Sequence, residues 1–80
     1  MLPSRMTLSE LQIGEKGVIA DVVGSDGVAA RLLEMGLLPG ETIEVIGRAP
    51  MGDPTEYSVV GYRISLRKVE SARVQVDKVS

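Results

Sequence analysis

Two periodicities divide the chain. Val18-Ile19-Ala20-Asp21-Val22-Val23 is β-branched and stops at Gly24, which predicts a strand. From Ser25 to Met35 the period changes. Val28, Leu32 and Met35 recur at i, i+4 and i+7, Ala29 and Leu33 widen the stripe, and Arg31 and Glu34 fall on the other side. This spacing predicts one helix, capped by Ser25 or Asp26 and ended by Gly36, with Leu37 folding back onto Leu32. So short a helix needs a sheet beneath its apolar face. Pro39-Gly40 marks a tight turn. Alternation then returns in Thr42–Ile46, Glu56–Val59, Tyr62–Arg67 and Arg73–Asp77. Tyr62, Ile64 and Leu66 are expected to face inward, with Arg63, Ser65 and Arg67 outward. Residues 49–54 read as a loop, and Lys68 to Ala72 as a single tight turn.

At the other end, Leu8 to Leu11 reads as one helical turn or an entry loop, and Gly14 and Gly17 bracket a turn. Residues 1–6 read as a flexible tail that lacks the apolar stretch and cleavage site of a signal peptide. Residues 7–80 are expected to form one domain. The expected fold is mostly β: a small five-stranded barrel with one α-helix inserted after the first long strand. Its core is Val18, Leu32, Ile43, Val45, Tyr57, Ile64, Leu66, Val74 and Val76. Closure of the barrel would leave no free sheet edge.

Composition narrows the function. Nine Lys and Arg against eleven Asp and Glu give a net charge of −2, whereas a general nucleic-acid binder carries a basic excess. Tyr57 and Tyr62, both expected to point inward, leave no stacking platform. Arg48, Arg63 and Arg67 read as a solvated wall balanced by Glu44 and Glu56. His and Cys are absent, which removes the usual zinc ligands, disulfides and thiol nucleophiles, and the side chain best suited to proton transfer near neutral pH. Glu41 and Glu44 fall on opposite faces of a strand, and Gly24-Ser25-Asp26-Gly27 reads as a helix cap rather than a phosphate loop. A non-enzymatic protein is therefore expected. The lack of Cys suits a cytoplasmic location, and apolar runs of at most three residues provide no membrane insertion. Met35 reads as core or core edge, Met51 in a Pro/Gly loop has no obvious core to join, and Leu37-Leu38 looks over-supplied for packing. Rimmed by Arg31 and Arg48, they are the candidate partner-binding residues.

Arg31-Leu32-Leu33-Glu34-Met35-Gly36-Leu37-Leu38-Pro39-Gly40 resembles the helix-to-turn signature of the FeoA family of ferrous iron transport proteins. Arg48 to Pro54 resembles the loop after that family's second strand, and Gly61 to Arg67 its hairpin return. Leu8 to Gly17, with its Leu-x-x-Leu-x-x-Gly-x-x-Gly spacing, also fits. The resemblance implies an SH3-like barrel acting as a cytoplasmic accessory of the FeoB membrane transporter, by contact with it or with its GTP-binding domain. Similar domains end iron- and manganese-dependent repressors, so a free-standing metal-sensing domain is one alternative. An RNA- or DNA-binding SH3-like barrel is another. The family's metal is Fe2+, but without His only Asp53 and Glu56 in one loop offer oxygens, and no metal, cofactor or catalytic site is assigned.

Overall fold

The computed structural model describes residues 5–79, and residues 1–4 of the expected tail lie outside the described residues. Arg5 and Met6 do not belong to a tail. Arg5–Thr7 forms a short strand, β1, followed by a 3-10 turn over Leu8–Glu10. The chain continues through β2 (Lys16–Val22), α1 (Gly27–Glu34), β3 (Thr42–Arg48), β4 (Thr55–Val59), β5 (Tyr62–Leu66), a one-turn helix α2 (Lys68–Ser71) and β6 (Val74–Val79). The six strands form one antiparallel sheet in the order β1-β6-β2-β3-β4-β5. The five expected strands are present, and β1 adds a sixth.

The helix behaves as its sequence predicts. The Asp26 carboxylate accepts the Ala29 N–H at 3.2 Å and caps α1. At the other end Gly36 takes a φ of 103°, Gly36 N–H donates to Leu33 O at 3.1 Å, and Leu37 N–H donates to Leu32 O at 3.2 Å. These paired bonds form a Schellman ending, which needs the left-handed residue that glycine supplies without strain. The Pro39-Gly40 turn closes with Glu41 N–H on Leu38 O at 3.1 Å.

Three expectations are corrected by the packing. Val18 is only half-buried, whereas Ile19 and Val22 are core residues of β2. The inward position before Ile19 is Gly17, which packs so closely that a Cβ there would meet Val76 at 3.0 Å. Hence the inward phase of β2 begins on a residue with no side chain, and a register irregularity between Ile19 and Asp21 shifts it again. Tyr62 shares the alternation of Ile64 and Leu66, but it is 69% exposed because β5 leaves the core at its first residue. Closure also differs. Among the described residues β1 and β5 do not pair, and the 3-10 turn and α2 meet along the seam between them. Leu8 and Leu11, beside that turn, are fully buried and fill the core with Leu32, Leu37, Ile43, Val45, Tyr57, Leu66, Val74 and Val76.

Candidate functional site

The candidate partner residues do not form one surface. Leu37, at 0% exposure, is a core residue, since the helix ending turns it inward onto the sheet. Leu38 follows it outward at 49% exposure. Met35 is half-buried and packs against the core. Arg31, one turn earlier, is exposed and pairs with Glu70 of α2. Met51 and Arg48 stand at the opposite end of β3, whose seven extended residues separate the two ends by roughly 20 Å. Met51 is 92% exposed.

Around Leu38 the fold assembles residues that sequence reasoning missed. Leu33 and Val60 are both exposed apolar residues. Gly36 lies between them, since it bonds to Leu33 and a Cβ on it would sit 3.7 Å from Val60 Cγ2. Val60 belongs to the two-residue β4–β5 turn, in which both Val60 (φ 52°) and Gly61 (φ 77°) are left-handed. This twist suits a tight hairpin, but a β-branched residue takes it only under strain. In the sequence, the only trace of this is a β-branched Val beside Gly at a two-residue hairpin turn.

A second feature lies on the seam. The 3-10 turn, the end of β3, the start of β4 and α2 flank an open cleft of about 100 Å³ lined by Ser9, Arg48, Gly52, Thr55, Tyr57, Lys68 and Ser71. Arg48 is half-buried and donates through Nη2 to the Leu11 carbonyl at 2.6 Å. Burial pushes the Tyr57 hydroxyl pKa up, against hydrogen bonds with Ser71 and Thr55 and the nearby Arg48 charge. Thr55 and Ser71 are the buried polar residues of the described chain, and both line this cleft.

Asp53 and Glu56, the candidate iron ligands, stand three positions apart in sequence and are engaged by different parts of the fold. Asp53 Oδ1 accepts the Lys68 N–H at 2.9 Å, and Glu56 points from β4 opposite Gly47 and Ser65. No group of three or more His, Cys, Asp or Glu gathers among the described residues. Nor is any described helix long and apolar enough to cross a membrane.

A curled antiparallel sheet with one α-helix of about two turns packed on it is the architecture of a small SH3-like domain. Residues 6–78 match the FeoA domain family, and the chain belongs to it. It is 41% identical over 75 residues to an Fe(2+) transport protein A/Fe(2+) transporter FeoB fusion protein of Porphyromonas gingivalis, covering 94% of this chain and 9% of that protein. The chain thus spans under a tenth of that relative. Among solved structures, a FeoA-like protein from Clostridium acetobutylicum superposes with a TM-score of 0.91 at 32% identity, over 100% of this chain and 92% of that one. A zinc complex of FeoA from Stenotrophomonas maltophilia, described as an SH3 domain protein, gives 0.78 at 37% identity, over 90% and 89%. A manganese-dependent transcriptional repressor gives 0.85 over 99% of this chain and 44% of the other, but at 14% identity that likeness is one of fold.

Proposed function

We propose that this chain is a non-enzymatic, cytoplasmic accessory of ferrous iron transport that acts by contact with a FeoB-type transporter, through its GTP-binding domain. One observation carries this reading: in the Porphyromonas gingivalis relative, a segment 41% identical to this chain is part of the same polypeptide as a FeoB transporter. Two modules joined in one chain work at a high effective concentration of each other. The contact surface is the α1 end, where Leu38, Leu33 and Val60 supply apolar area beside Met35, with Arg31 at the rim. Met35 adds an unbranched side chain that repacks against an irregular partner.

The test is Leu38→Glu, measured by denaturant unfolding and by binding to the isolated GTP-binding domain of the transporter. Leu38 is half-exposed, so stability should stay within about 0.5 kcal/mol of wild type. Binding should weaken about tenfold or more, because a charge would replace an apolar contact. Wild-type stability with undiminished binding would remove the α1 end from the interface.

A further inference from the structure

We propose that the cleft on the β1–β5 seam binds a small oxyanion, a phosphate or carboxylate group. Its two charged lining residues, Arg48 and Lys68, are both cations, and no carboxylate lines it. Outside the cleft four cations are neutralised, whereas Lys16, Arg63 and Arg67 have no salt-bridge partner among the described residues. Arg5 pairs with Asp77, Arg31 with Glu70, Arg73 with Asp26 and Lys78 with Glu15. Among the described residues neither Arg48 nor Lys68 has such a partner, although the chain carries eleven acids against nine bases. Asp53, the nearest acid in the neighbouring loop, gives its Oδ1 to the Lys68 backbone N–H.

An unpaired guanidinium that is partly withdrawn from water is costly, and a bound anion relieves that cost. Arg48 is also held ready for one. Its Nη2 is fixed on the neutral Leu11 carbonyl, which orients the guanidinium plane and leaves its other N–H groups to a ligand. The remaining lining is rich in hydroxyls: Ser9, Thr55, Tyr57 and Ser71. The Ser71 Oγ–H donates to Lys68 O over a long 3.3 Å, a bond weak enough to exchange for one to an anion. Hydroxyls turning toward a site flanked by Arg and Lys form the charge-assisted donor set that oxyanions take. The same set repels a metal cation, so the chemistry is distinct from iron binding, and it does not depend on the transporter contact proposed above.

The experiment is a two-dimensional 15N–1H NMR titration of the full chain with sodium phosphate and, separately, sodium acetate, at ionic strength held constant with sodium chloride. The expected result is saturable shifts confined to the amides of Ser9, Gly52, Thr55 and Ser71. Saturation by phosphate alone identifies a phosphate site, by acetate alone a carboxylate site, and by both a general oxyanion site. Lys68→Gln, on an exposed residue, should weaken binding about tenfold, the loss expected for one charged hydrogen bond. Arg48→Lys should weaken it as well while keeping the charge. Should that variant unfold, Lys68→Gln alone decides. Shifts that are absent, linear in concentration, scattered over the surface or unchanged by Lys68→Gln would overturn the proposal.

Discussion

Asp26 shows how much one side chain secures here. Besides capping α1, its two oxygens accept from the Arg73 guanidinium at 2.8 and 2.9 Å, tying the start of the helix to the chain just before β6. Arg73 first, then the Ala29 N–H, lowers the Asp26 pKa from 3.8 to about 2. A carboxylate depressed by folding stabilises the native state above its unfolded pKa, and that contribution is lost as pH falls through the folded value. Asp26→Asn keeps a capping side chain and removes the ion pair. The stability gap between wild type and this variant should therefore be widest above about pH 4 and close as pH drops to about 2. Denaturant midpoints across that range check it, and a gap that widens on acidification would contradict it. Residue by residue, the sequence was most readable where one helical turn decides the outcome, as with the cap, the Gly36 stop and the return of Leu37. It was least readable where burial depends on distant partners. Leu37 and Leu38 look alike in sequence, yet one is core and the other surface, and Tyr62 keeps the alternation of its strand while lying outside the core.

At the scale of elements, the β4–β5 hairpin pairs a favourable geometry with an unfavourable residue. Val60 at φ 52° bears the cost of a left-handed conformation, about 1–2 kcal/mol for a residue with a Cβ, and Asn tolerates it better. Val60→Asn should therefore raise stability by about 1 kcal/mol, seen as a higher urea midpoint with an unchanged slope. The same variant should weaken binding to the transporter's GTP-binding domain, because Val60 borders the surface around Gly36. Strain kept at a contact residue is a pattern of functional sites. A lower midpoint would show that Val60 packs more than it strains. The hairpin itself was readable from alternation, and so were β3, β4 and β6. The strand β1 was not, because three residues beginning with Arg5 carry no period, and only pairing with β6 makes them a strand. Residues of the seam cleft run from Ser9 to Ser71, so no local motif announces them, and only the curl of the sheet brings them together.

For the whole molecule, the sheet order sets when the fold becomes possible. The strand made last, β6, lies between β1 and β2, the strands made first, and pairs Asp77 with both Arg5 and Val18. A growing chain that stops at Arg73 holds the hairpin and the helix sequence but lacks the strand that joins β1 to the sheet. β1 must wait, unpaired and open to proteases, until β6 is available, and β2 until then holds only its pairing with β3. Such long-range pairing also places the main refolding phase in the millisecond-to-second range of β-rich domains. A chain ended at Arg73 should therefore lack cooperative unfolding by circular dichroism and be degraded rapidly, whereas the full chain resists. A folded, protease-resistant fragment would contradict this. The domain thus acquires its full stability only once β6 is seated between β1 and β2.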